Sequence, residues 1–306
     1  MRISIIGLGH VGSTLAYNLT LKDIADELVL YNRTYHRALG DALDLQHAQS
    51  FSTGVTQVRA AKELAETEGS DILIITSSVP FDRDKMKVRN DLAKGNAQLM
   101  KELIPSLVQH SPKAVILVVT NPVDVMTLLV LELSGFEPGK VIGIGTLLDS
   151  ARFRWELSQR LSIHPDDLRA YVLGEHGDTQ FAAMSVASAG GEKIPDSQLG
   201  HELVEQSAKM GHEIMKAKGF TNYAIASAIA LVAGAVAHNS RRTIPVSVWL
   251  QNYLGVSNVC LSVPAVVGRQ GVIRLLVPTL DPEEVSRLHD SAEAVKKVYA
   301  SCMADE

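Results

Sequence analysis

The feature that most constrains this chain is a rhythm of short, almost unbroken Val/Ile/Leu runs separated by longer stretches of helical period. Ile3–Ile6, Leu28–Tyr31, Ile72–Ile75 and Ala114–Val119 are bounded by Gly, Asp, Asn or Pro, and between them lie Val11–Leu21, Tyr35–Gln49 and Val88–Val108. A strand with no polar face needs cover on both sides, which parallel strands beneath crossover helices receive. The rhythm therefore predicts an α/β fold built on a doubly wound parallel sheet.

Beyond Ile144 the rhythm changes. Helical patterns over Thr146–Leu161, Gly200–Ala217, Thr221–His238 and Pro282–Ala300 mix with strand-like Arg169–Leu173, Val246–Leu250, Val259–Pro264 and Val272–Val277. The expectation is a Rossmann domain over residues 1–145 and an α+β substrate domain over residues 146–306, meeting at a cleft. A length of 306 residues suits two domains.

Lys and Arg number 29 against 34 Asp and Glu, a formal charge of −5, so nothing electrostatic points to nucleic acid. Cys260 and Cys302 lie far apart, without a CxxC or a ligand-spaced His; neither a disulfide framework nor a metal site is expected, and a reducing cytoplasm is the natural compartment. The most apolar stretch, Tyr223–Ala237, is interrupted by Ser227 and Gly234 and falls short of the ~20 residues of a membrane span, so it reads as a buried helix. Met1–Gly7 runs straight into a strand pattern, without the apolar core of an export signal.

Gly7-Leu8-Gly9-His10-Val11-Gly12 fits G-x-G-x-x-G, follows a strand and opens a helix. The first Gly permits a tight turn, the second lets the backbone approach a pyrophosphate, and the third lets helix and strand pack closely. A dinucleotide would sit on the helix N-terminus, where unpaired N–H groups favour an anion. A ligand-free glycine turn explains one or two of these glycines but not three at this spacing.

An NAD site would carry an acid at the end of the second strand; here Asn32 and Arg33 follow Tyr31. Two readings stay open. Either neutral Asn32 removes the repulsion of a 2′-phosphate and Arg33 pairs with it, which favours NADP, or Asn32 binds the ribose hydroxyls through its amide and Arg33 is a solvated residue, which favours NAD.

Leu173-Gly174-Glu175-His176-Gly177-Asp178 sets one of the ten histidines between glycines just after a strand, where its ring can enter a cleft. Asp149 and Arg152, three apart at the start of a helix, share a face, so a carboxylate and a guanidinium can both reach that cleft. Taken alone, each of these features has a plainer explanation: a satisfied histidine, and a local ion pair at a helix N-terminus.

Taken together with Thr120-Asn121-Pro122-Val123-Asp124 and Lys218-Gly219-Phe220-Thr221, the chain resembles the L-lactate/L-malate dehydrogenase family along essentially its whole length. Gly145-Thr146-Leu147-Leu148-Asp149 and the Lys218–Thr221 motif look most like the lactate and L-2-hydroxyisocaproate branch. The resemblance implies that His176 is the general acid, Asp149 its partner, Arg152 the clamp on the substrate carboxylate and Arg89 a loop arginine polarising the carbonyl. It further implies that Thr76, Asn96, Val119 and Asn121 help hold the cofactor, with Asn121 also orienting the substrate and Thr221 lining its pocket. A homodimer or homotetramer is expected; Tyr223–Ala237, Leu43, Leu45 and Phe51 would suit its contacts, and core packing explains them equally well.

The match departs from the family between Thr76 and Arg89, where Thr-Ser-Ser-Val replaces the usual T-A-G-A/V, the Pro-Gly is missing and extra residues enter. Counted from Thr76, Phe81 falls in the slot that selects the substrate; counted back from Arg89, Arg83 does. Phe81 would favour an apolar 2-oxo acid and Arg83 a second carboxylate, as in a malate enzyme. Arg154 and Arg169 match a basic effector pocket for sugar bisphosphates in bacterial members of the family, although Arg169 stands where a histidine is usual; two solvated arginines are the plainer reading. A non-catalytic dinucleotide sensor on the same fold is the alternative from another class.

Overall fold

The computed structural model describes residues 1–80, 89–194 and 197–304. Phe81 and Arg83 lie outside the described residues. The chain begins with β1 (Arg2–Ile6), α1 (His10–Leu21), β2 (Glu27–Tyr31), α2 (Tyr35–Ala48), β3 (Gln57–Ala61) and β4 (Ile72–Ile75). It continues through α3 (Arg89–His110), β5 (Val115–Val118), α4 (Val123–Ser134), β6 (Val141–Gly143) and α5 (Leu147–Leu161).

Strands β1 to β6 pair in parallel in the order β6-β5-β4-β1-β2-β3, with Ile3 beside Leu28 on one side and Ile72 on the other. The order reverses at β1/β4, and the loops after those two strands meet: Thr76 N–H and Ser77 N–H both donate to Ile6 O, at 3.0 and 2.8 Å. Ligand crevices form at this switch point in doubly wound sheets. β4 and β5 are buried along their entire length, as expected of strands covered on both faces.

Two of the six parallel strands carry no periodicity that announces them. β3 is an edge strand whose Gln-Val-Arg-Ala-Ala sequence is only partly buried, and β6 is three residues long, so neither offers an apolar run. Past α5 come the short strands β7 (Leu168–Arg169), β8 (Val172–Leu173), β9 (Phe181–Ala182), β10 (Ser188–Ala189) and β11 (Glu192–Lys193). The single strand expected over Arg169–Leu173 is thus divided, with β7 pairing β10 and β8 pairing β9.

The chain closes with α6 (Ser197–Lys218), α7 (Tyr223–Ala237), β12 (Arg242–Leu250), β13 (Val259–Gly268), β14 (Gly271–Leu275) and α8 (Pro282–Met303). β12 docks antiparallel on β6 at Ser247 opposite Gly143, so the last three strands extend the first sheet to nine strands. One core accordingly runs from Ile3 and Leu117 to Val246 and Leu261, while a second gathers Phe153, Leu157, Leu168, Val172 and Leu203. α7 is largely buried, as its composition predicts. Among the described residues, no single helix is long and apolar enough to cross a membrane.

Candidate active site

At the nucleotide end, the glycines act as the spacing demands. A Cβ on Gly12 would lie 2.0 Å from Gly7 O, so any side chain there would drive α1 off β1, whereas a Cβ on Gly9 would meet nothing within 4 Å. The Gly9 backbone therefore faces open space at the N-terminus of α1, whose first turn carries neither an acid nor a side-chain cap. These donors and this clearance fit a dinucleotide pyrophosphate. Thr76 serves the loop directly, donating from Oγ1 to Gly7 O at 2.6 Å.

Asn32 stands at the end of β2, where its Oδ1 accepts from Leu8 N–H and its Nδ2 donates to Thr34 O, both at 3.2 Å. Arg33 beside it is exposed. Asn96 is fully buried; it donates to Asn121 O at 2.7 Å and accepts from Val79 N–H at 2.8 Å. Its amide thus ties α3 to the turn that carries Asn121.

Farther along the switch point, a cavity of about 620 Å³ brings together Val11, Val119, Asn121, Asp149, Arg152, His176 and Thr221. His176 Nδ1 lies 2.6 Å from Asp149 Oδ2, and Arg152 Nη1 lies 3.5 Å from Asp149 Oδ1. One carboxylate therefore engages both the imidazole and the guanidinium. Arg89 opens α3, and its side chain lies outside the described residues.

The local fold explains why His176 is held. Gly174, with φ of +90°, turns the chain out of β8, and its N–H and C=O pair with Ser262 of β13 at 3.0 and 2.9 Å. His176 N–H donates to Asp124 Oδ2 at 2.7 Å, while Ser247 Oγ donates to Asp124 Oδ1 at 2.6 Å. Backbone and ring are thus tied to two different carboxylates, Asp124 on α4 and Asp149 on α5.

These contacts move the titrations. Burial pushes His176 down, but the charge and hydrogen bond of Asp149, with Asp124 behind, outweigh it, so the imidazole holds its proton above the ordinary histidine value despite Arg152. Burial raises Asp149, yet His176 and then Arg152 bring it below the usual carboxylate range. Burial pushes Asp124 up to about 6, against the bonds from Ser247 and His176 and the charge of the His176 ring.

The turn between α6 and α7 joins the two ends. Phe220 stacks on His10 of the glycine loop with ring centroids 3.6 Å apart, and Asn222 Nδ2 donates to Thr14 Oγ1 at 2.8 Å. Thr221, between them, is thereby held in the cavity wall.

Residues 1–143 match the lactate/malate dehydrogenase NAD binding domain, and residues 146–305 match the alpha/beta C-terminal domain of the same family. The chain belongs to the lactate/malate dehydrogenase family. It is 40% identical over 307 residues to an L-lactate dehydrogenase of Synechococcus sp. (strain JA-3-3Ab), covering 98% of this chain and 99% of that one. It is 37% identical to an L-lactate dehydrogenase of Thermoanaerobacter pseudethanolicus, with 97% of each chain covered. The crystal structure of a minor L-lactate dehydrogenase from Enterococcus mundtii superposes with a TM-score of 0.94 at 28% identity, over 98% of both chains.

Several contributors to this family site escaped the sequence reading. Asp124 lay inside a quoted motif without a role; its signal was an acid in the first turn of the otherwise apolar helix Val123–Ser134. Gly211, His212 and Met215 of α6 also line the cavity. A Cβ on Gly211 would come within 3.2 Å of Arg152 Nη1, so glycine lets the guanidinium lie against the helix backbone. Away from the cavity, Arg154 Nη1 donates to Ala170 O at 3.3 Å and Arg169 is exposed on β7. Leu45 packs in the core, whereas Leu43 is 47% and Phe51 94% exposed.

Proposed function

We propose that this protein is an L-2-hydroxyacid dehydrogenase, interconverting a 2-oxo acid and the corresponding L-2-hydroxy acid. The observation that carries the reading is the single Asp149 carboxylate engaging both His176 and Arg152 beside a dinucleotide-binding loop. A sensor would need the loop but not the trio. When bound, the nicotinamide supplies or accepts the hydride.

The chain's own residues do the rest. Arg152 clamps the substrate carboxylate through its planar fork, aligning the carbonyl carbon. His176, with its Nδ1 side held by Asp149, gives a proton from Nε2 to the carbonyl oxygen and takes it back in the reverse direction. Asp149 favours the imidazolium by its charge, which raises the share of the acid form. Arg89 would polarise the carbonyl, and Asn121 and Thr221 would shape the pocket.

A monocarboxylic 2-oxo acid, of the pyruvate or 2-oxoisocaproate type, is the preferred substrate. The Thr221 wall and the names of the relatives support it; assignment of Arg83 rather than Phe81 to the selecting slot would favour oxaloacetate and a malate enzyme. The cofactor is NAD or NADP, given Asn32 in place of an acid. A cytoplasmic homodimer or homotetramer with domains 1–145 and 146–306 completes the proposal, with Leu43 and Phe51 as contact residues and Arg154 and Arg169 as a phosphate pocket.

The test is a matrix of initial rates for pyruvate, 2-oxoisocaproate, phenylpyruvate and oxaloacetate against NADH and NADPH. One of the first three is expected to give the highest kcat/KM. Oxaloacetate leading overturns the substrate reading, and no turnover with any acid favours the sensor.

A further inference from the structure

The corner where β2 ends and α2 begins holds charges that no ion pair among the described residues uses. Arg33, which precedes the Thr34 N-cap, and Arg37, in the first turn of α2, are both exposed. Neither enters an ion pair among the described residues. Two exposed cations beside a helix N-terminus favour an anion.

The same sheet edge treats other arginines differently. Arg2 and Arg59 both bond the Glu27 carboxylate, at 2.6 and 2.7 Å. The acid that could have paired with Arg37 one turn on, Asp41, instead accepts from Ser13 Oγ of α1 at 2.6 Å. Glu66, on the neighbouring segment, is taken by the N–H groups of Lys62 and Glu63 at 2.6 and 3.0 Å. Lys62 adds a further cation, with Nζ 5.3 Å from the Tyr35 ring centroid.

Two neutral features complete the corner. Thr34 precedes α2 with a side chain that makes no capping bond, and the first turn of α2 holds no acid. Asn32 offers no carboxylate, and its amide is already bonded on both sides by Leu8 N–H and Thr34 O. A ribose hydroxyl pair thus meets none of the acceptor charge that an acid would provide, and a phosphate meets no repulsion.

We propose that Arg33, Arg37 and the Thr34 hydroxyl form a subsite for the 2′-phosphate of NADP(H), making it the preferred dinucleotide. This rests on reading the cleft as a dinucleotide site, and it adds Thr34 and Arg37 to that site. Two guanidiniums present planar forks to a phosphate dianion, a match that a single lysine would not give.

The test uses the full-length protein and isothermal titration with 2′,5′-ADP and 5′-AMP, probes that differ only by the 2′-phosphate. The 2′,5′-ADP is expected to bind about tenfold tighter or more, and the ratio should fall as salt rises. Arg33→Ala combined with Arg37→Ala should bring the ratio close to one, and Asn32→Asp should lower it by adding repulsion, with thermal melting confirming that each variant folds. Equal binding of the two probes by the wild type, or a ratio that survives the double substitution, overturns the subsite while leaving the dinucleotide site intact. Failure to bind either probe overturns both.

Discussion

The two ends of the cleft are built on opposite plans. Around His176 every strong group is already engaged: the ring with Asp149, the backbone with Asp124, and Asp124 in turn with Ser247. Around Asn32 the strongest groups, Arg33 and Arg37, are exposed and unpaired among the described residues. A proton donor works only when its tautomer and direction are set before substrate arrives, so protein contacts must set them. An anion subsite needs its charges left over for the ligand, because a charge satisfied internally has little to give.

The most forceful way to break this comparison is to empty the catalytic end. His176→Ala is expected to lower kcat by about 10²- to 10⁴-fold, while fluorescence titration finds cofactor affinity nearly unchanged. A parallel loss of cofactor affinity would mean that the two ends are not separable, and the His10–Phe220 stack would be the first place to look.

A smaller effect sharpens the account of the proton. Because Asp149 holds His176 protonated above its ordinary value, reduction of the 2-oxo acid should stay level at low pH and decline as pH rises through that raised value. Oxidation, which needs the neutral ring, should rise over the same range. Asp149→Asn should shift both midpoints acidward; unmoved profiles would take His176 out of the titration. The pair also ties stability to pH. The His176 contribution is full below the ordinary histidine value and disappears as pH climbs through the raised one, and that of Asp149 is lost as pH falls through its depressed value.

The smallest effect concerns Asp124. A buried carboxyl pushed up to about 6 costs folded stability once it is ionised at neutral pH. Asp124→Asn should therefore leave Tm unchanged or raise it, yet reduce kcat several-fold by loosening the His176 backbone. A lowered Tm with full activity would mark Asp124 as a structural residue with no part in positioning His176.

Much of the molecule was legible because burial leaves local marks. The β4 and β5 runs, the three glycines of the loop and the apolar helix over Tyr223–Ala237 each announce themselves within a few residues of chain. His176, Asp149 and Arg152 were legible as candidates because their residue types and neighbours are unusual together. Weakly marked elements escaped: β3 alternates with polar residues at an edge, and β6 is too short to form a pattern.

By itself, the sequence determined the parallel sheet, the nucleotide loop and the set of groups able to do acid chemistry, since periodicity and residue type depend on near neighbours. Tertiary structure alone decided that β12 to β14 extend the first sheet, that Asp124 grips a backbone N–H 52 residues away, and that Asp41 turns to Ser13 rather than to Arg37. The physical reason is the range of the interactions. Hydrophobic burial averages over a segment and so writes a period into it, whereas a hydrogen bond joins two particular atoms, whose partnership exists only once folding has brought distant segments together.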